Sequence, residues 1–228
     1  MGFNNLGVDH LLEQVQAAQT DAIIGINIGK NVDTPVDKAL NDYLIGLEKS
    51  YPHADYITIN ISSPNTPGLR NLQFGEALDN LLSALKNRQA ELAEEFQRYV
   101  PMAVKVAPDL TLEEVQQLSE CFSRVGIDAV IATNTTLSRE AVAGLAHADE
   151  AGGLSGKPVF AKSTEIVRQF RQALPADMPI IAAGGIMSAE DAMQKLEAGA
   201  QLIQIYSGLI YQGPKLIQDI VKTIQKRR

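Results

Sequence analysis

Asn27, Asn60, Lys105 and Asn134 each stand near the carboxyl end of a short apolar run, and Ser63 follows the second of them within the turn Ser62-Ser63-Pro64-Asn65. Amide side chains hold flat polar rings and carboxylates through paired donors and acceptors. A lysine can hold an anion or, when desolvated, attack a carbonyl. The set holds no pair of carboxylates suited to hydrolysis, and His10, His53 and His147 fall on helix or loop patterns without metal-ligand spacing. Redox or carbonyl chemistry without a metal is the expectation.

Whether these residues meet depends on strand alternation, in which successive side chains point to opposite faces. In residues 22–29, turning Ile24, Ile26 and Ile28 toward helices leaves Gly25 and Asn27 inside. In residues 56–62, outward Ile57, Ile59 and Ile61 leave Thr58 and Asn60 inside. In residues 102–107, outward Val104 and Val106 leave Lys105 inside with Ala103 and Ala107. Asn134 and Thr135 come at the mouth of the next run, 128–134. A single inward asparagine is as readily a satisfied core amide, but an inward lysine without a counter-charge is costly. Four such groups at one depth favour a site over a core.

Further apolar runs cover 179–185 and 202–207, and helical patterns lie near 9–19, 35–50, 75–98, 111–126, 160–174, 188–199 and 213–226. Thr111 with Glu114 forms a capping-box pattern, Ser188 with Asp191 a second cap, and Pro35 is expected at a first helical position. Alternating strand and helix predicts a parallel α/β sheet with right-handed crossovers, and residues 1–228 read as one domain. Two architectures compete. An α/β barrel closes at eight strands in about 250 residues, and only six runs are present. An open doubly wound sheet suits six, but Gly25 and Gly29 in GINIGKN have the wrong spacing for a dinucleotide fingerprint. Glycine loops at 152–156, 182–186 and 205–209 could hold a phosphate, the last two where barrels place it.

Composition narrows the class. The 228 residues are 45% hydrophobic and 21% charged with a net charge of −7, which argues against nucleic acid or an anionic membrane as partner. The single cysteine, Cys121, lies in a helical pattern and reads as a packed thiol; no disulfide framework or cysteine zinc site is expected. No apolar run reaches the roughly 18 residues of a membrane span, so a reducing, cytoplasmic setting is the expectation.

The stretches NISSPNTPGLRNLQ (60–73), GINIGKN (25–31), VKVAPD (104–109), IATNTT (131–136), GGLSG, AAGGI and IYSGLIYQGP (205–214) together resemble class 2, quinone-linked dihydroorotate dehydrogenase. The resemblance runs essentially from Met1 to the C-terminus, and serine in the SSPN loop points to class 2, because class 1 carries cysteine there. It implies a (β/α)8 TIM barrel, present here as six βα units equivalent to strands three to eight of the family. It also implies that the family's N-terminal third, with its quinone-binding, membrane-associating extension, has no counterpart in this sequence. FMN is the implied cofactor, dihydroorotate and orotate the implied ligands, and oxidation of the first to the second, in pyrimidine synthesis, the implied reaction. Carried over by position, Ser63 is the implied base. Asn60, Asn65, Asn134 and Thr135 would hold the pyrimidine, with Met1, Gly2 and Phe3 approaching it. Asn27, Asn60, Lys105 and Thr133 would face the flavin, and Gly156, Gly185, Tyr206 and Ser207 its phosphate. Full-length members of the family lie peripherally on the cytoplasmic side of the bacterial inner membrane. From the residues alone, a phosphate-binding barrel lyase or aldolase with Lys105 as Schiff base stays open.

Overall fold

Six parallel strands pair in the order in which they occur along the chain: Gly25–Ile28 (β1), Tyr56–Asn60 (β2), Met102–Val106 (β3), Ala129–Ala132 (β4), Ile180–Ala183 (β5) and Leu202–Gln204 (β6). The structure, a computed structural model, describes residues 5–66 and 68–227. Consecutive order decides between the two architectures, because a doubly wound sheet must reverse its strand order at a switch point. This sheet never reverses. It is wound in one direction, as in a barrel, and six strands leave it open.

The helices are Val8–Ala17 (α1), Ala39–Ser50 (α2), Gly75–Phe96 (α3), Leu112–Val125 (α4), Phe160–Ala173 (α5), Ala189–Glu197 (α6), Ser207–Gln212 (α7) and Lys215–Arg227 (α8). Two of them, α4 and α6, begin on side-chain caps. Thr111 accepts from the Glu114 N–H while the Glu114 carboxylate accepts from the Thr111 N–H, so α4 opens on a complete capping box. Ser188 caps α6 by accepting from the Asp191 N–H. Pro35 sits one residue earlier than expected: its extended ψ of 148° makes it the cap of a short 3-10 turn, Val36–Lys38, that leads into α2.

Register fixes which side chains share a face. Ile26 pairs with Ile57, Ile57 with Met102, Ile59 with Val104, and Val104 with Val130. These residues are buried with Tyr43, Leu82, Phe122 and Phe170 in the large core between sheet and helices. At roughly 25 cal/mol per Å² of apolar surface, that layer is the main source of stability. The opposite face carries Asn27 paired with Thr58, Asn60 with Lys105, Lys105 with Ile131, and Ala183 with Gln204. Its apolar part is small, centred on Ala103, Ile131 and Ala183. Along β1 the inner positions Gly25 and Asn27 are exposed, while the outer Ile26 and Ile28 are buried. Among the described residues no helix is long and apolar enough to cross a membrane.

Candidate functional site

The inward polar residues converge on one cleft of about 450 Å³ at the carboxyl ends of the strands, within the usual size of a small-molecule site. Asn27, Asn60, Lys105, Thr133, Asn134 and Thr135 line it from β1 to β4, and Asn65 lines it from the turn after β2. The glycine loops close the far side with Gly156, Gly185, Tyr206 and Ser207. Every residue expected to bind ligand, among those described, lines this cleft, and the expected base, Ser63, does not. Met1, Gly2 and Phe3 lie outside the described residues.

Hydrogen bonds hold the amides in fixed orientations. Asn60 Oδ1 accepts from the Ser62 N–H at 3.3 Å, from the Ser62 hydroxyl at 3.3 Å and from Asn134 Nδ2 at 3.2 Å. Asn134 Oδ1 accepts in turn from the Thr135 N–H at 2.8 Å. From the helix side, the Tyr43 hydroxyl donates to the Asn60 carbonyl at 2.7 Å, and burial pushes that phenol above its ordinary value. Asn60 is thus gripped at both its backbone and its side chain.

Ser63 sits behind the wall. It is only 1% exposed, it does not line the cleft, and its Oγ accepts from the Asn65 N–H at 3.1 Å. The Ser-Pro-Asn turn folds back on itself here, which strand alternation could not foretell. Asn65 then reaches across to the loop after β4, where its Oδ1 accepts from the Gly153 N–H at 3.2 Å. Gly153 has to be glycine, because a Cβ there would lie 1.8 Å from Thr135 Oγ1.

Lys105 has a different environment. No hydrogen bond or ion pair joins its ammonium to another described residue, and burial holds its pKa below the ordinary lysine value. A second such group faces the same cleft: Gln204 Oε1, inward on β6, is buried with no hydrogen-bond partner among the described residues. Continuing the alternation into residues 202–207 would have found Gln204, which the sequence reading passed over. A lone ammonium, an amide oxygen that can accept and a row of amides make a set of donors and acceptors for a flat, polar ring that carries negative charge.

The glycine loops supply the other end of that ligand's site. Gly185 has φ +75° and packs so closely on the start of α5 that a Cβ would lie 2.5 Å from Phe160 Cα. Gly156 faces Ser207, whose hydroxyl lies 3.2 Å from that of Ser155. Three loops from distant parts of the chain thus meet as a small, side-chain-poor cradle, the kind of surface on which backbone N–H groups hold phosphate. The residues present fit a flavin: an ammonium and several amides on one wall and a side-chain-poor cradle on another. Among the described residues, no group of three or more His, Cys, Asp or Glu side chains could hold a metal ion.

A family model described as dihydroorotate dehydrogenase matches residues 1–227. The chain is 60% identical to the dihydroorotate dehydrogenase (quinone) of Proteus mirabilis strain HI4320 over 224 residues, 98% of this chain and 67% of that protein. It is 59% identical to that of Vibrio cholerae strain N16961, with the same shares covered. Among solved structures, a DHODH from Eimeria tenella in complex with ferulenol superposes with TM-score 0.89 at 33% identity, over 96% of this chain and 64% of that one. The ligand-free type from the same organism gives 0.87 at 34%. The chain thus spans about two thirds of the length of the relatives it matches.

Proposed function

The chain belongs to the dihydroorotate dehydrogenase family, and from that premise we propose that its cleft binds FMN and dihydroorotate and oxidises the latter to orotate, with a quinone as final acceptor. The observation that carries this reading is Lys105: an ammonium inside the cleft, unpaired among the described residues and surrounded by amides. An uncompensated buried charge costs stability unless a ligand completes it.

When bound, FMN supplies the two-electron acceptor for the oxidation. Lys105 would place its positive charge beside the ring and favour the reduced, more negative state. Asn27 and Thr133 would fix the ring from β1 and from the end of β4. Gly156, Gly185, Tyr206 and Ser207 would hold the phosphate. Asn60, Asn65, Asn134 and Thr135 would clasp the pyrimidine, the first, third and fourth already oriented by their mutual hydrogen bonds and Asn65 by the Gly153 N–H, so little ordering remains for binding to impose. Met1, Gly2 and Phe3 would contribute to substrate binding in this reading. Ser63 would take the proton that leaves the substrate carbon, passing its own to a relay. Because Ser63 lies behind the wall, this role requires the Ser-Pro-Asn turn to present Oγ when substrate is bound. The proposal includes a single domain over residues 1–228 and a cytoplasmic setting. A Schiff base at Lys105 is set aside, since family membership gives the unpaired lysine a cofactor to face.

Lys105→Met tests the reading by separating ligand binding from stability. The variant loses a charged contact worth about 1.5–3 kcal/mol, so FMN affinity should fall roughly 10- to 100-fold in a fluorescence-quench titration. The unliganded variant should melt at the same temperature or higher, because a partly buried, unpaired charge has been removed. Unchanged FMN affinity would remove Lys105 from the cofactor site.

A further inference from the structure

Arg70 lies in the short 3-10 turn Leu69–Gln73 beyond the Ser-Pro-Asn loop, and its guanidinium joins three segments of the chain. Nε donates to the Ser62 carbonyl at 3.1 Å, Nη1 to Asp109 Oδ2 at 2.9 Å, and Nη2 to the Thr135 carbonyl at 2.9 Å. Ser62 precedes the expected base, and Thr135 is an expected ligand residue on the opposite wall. One planar fork therefore holds the backbones of both walls.

Asp109, three residues beyond the end of β3, anchors the fork. It also accepts from the Thr136 hydroxyl at 2.5 Å, from Lys162 Nζ at 2.7 Å and from the Leu137 N–H at 3.0 Å. Burial alone would raise its pKa, but these hydrogen bonds and Arg70 outweigh burial and bring it down to about 2. The carboxylate is therefore charged throughout the neutral range. The Arg70 and Asp109 side chains are only 19% and 20% exposed, so this pair differs from the solvated ion pairs that contribute little. Three acceptors in the plane of one guanidinium also set a demand that the point charge of lysine cannot meet. Neither residue lines the cleft. Their effect on any ligand must pass through the two turns they hold.

We propose that Arg70, anchored by Asp109, is a positioning residue that locks the Ser62–Ser63 turn to the Asn134–Thr135 turn, so that the two walls of the substrate site order and disorder together. That the walls bind pyrimidine rests on the function proposed above; their coupling does not.

Hydrogen exchange on the full chain tests the coupling directly. In Arg70→Met, amides of residues 61–66 and of 134–137 should both exchange at least about tenfold faster, while those of β5 and β6 keep their protection. Arg70→Lys and Asp109→Asn should shift both turns in the same direction, and they carry the test if Arg70→Met does not fold. Acceleration of one turn alone, or of neither, overturns the proposal. A second measurement, on chain loaded with FMN, follows the change in flavin absorbance on adding orotate. Arg70→Lys should weaken orotate at least about tenfold and leave FMN affinity within about twofold, since small misplacements of a site are expensive. Unchanged orotate affinity in that variant overturns the positioning role. If the parent chain with bound FMN gives no response to orotate, the functional reading fails, and the exchange data still decide the coupling.

Discussion

Ser63 and Asn60 stand three residues apart and differ in how far sequence could describe them. Asn60 was legible because strand period two places it inside once the flanking isoleucines are turned outward, and it lines the cleft as expected. Ser63 was legible by type only. Its burial and its hydrogen bond from the Asn65 N–H come from a turn closing on itself, which no periodicity encodes. Ser63→Ala removes one hydroxyl and leaves the Asn65 N–H without its acceptor, a loss of about 1 kcal/mol that the fold should tolerate. In the FMN-loaded chain, the rate at which dihydroorotate bleaches the flavin should drop by roughly 10²- to 10⁴-fold, with FMN affinity unchanged. An undiminished rate would take Ser63 out of the mechanism.

Among the elements, those with an amphipathic period and a local start signal were readable, such as α4 with its capping box. Those made by distant parts of the chain were not. The helix α7 has six residues and no side-chain cap, and it follows a strand shortened to Leu202–Gln204, so Ser207 read as the end of the apolar run 202–207 and Ser207–Leu209 as part of a glycine loop. Arg70 and Asp109 are 39 residues apart and carry no local pattern that joins them. Lys195 is a third case. Helical spacing makes it an ordinary polar position of α6, yet it has no exposed surface. Its ammonium lies 2.5 Å from Ser163 Oγ, 3.2 Å from the Phe160 carbonyl and 4.7 Å from the centre of the Phe160 ring. Burial pushes its pKa down to about 7, against Asp191, which raises it, and with Arg168, which lowers it further. Between about 7 and the usual lysine value of 10.5, the unfolded chain holds a proton that the folded chain has released. Stability therefore rises with pH across that window, and below it the cost of the buried charge is fully felt. Relative to Lys195→Met, the parent should gain up to about 1.4 kcal/mol per pH unit between pH 7 and 10 in denaturant melts. A difference that stays flat with pH would show that Lys195 is not held near neutrality by the fold.

At the scale of the molecule, strand order alone gives the winding, and six strands wound one way leave β1 and β6 with one neighbour each among the described residues. The cleft is consequently walled more firmly from β2 to β6 than along β1, where Asn27 stands exposed. Apolar side chains such as Ile23, Leu202 and Ile210 are more than half exposed. The relatives that match this chain are longer by about a third of their own length. The central claim is that this cleft holds a flavin and oxidises dihydroorotate, and one titration tests it. The purified chain is saturated with FMN, freed of excess, and mixed with dihydroorotate under anaerobic conditions while the flavin's visible absorbance is followed. The expected result is a yellow protein that dihydroorotate bleaches and that orotate protects from bleaching. A chain that retains flavin but is not bleached, or one that stays colourless after saturation, would contradict the reading of this cleft as a working dihydroorotate site.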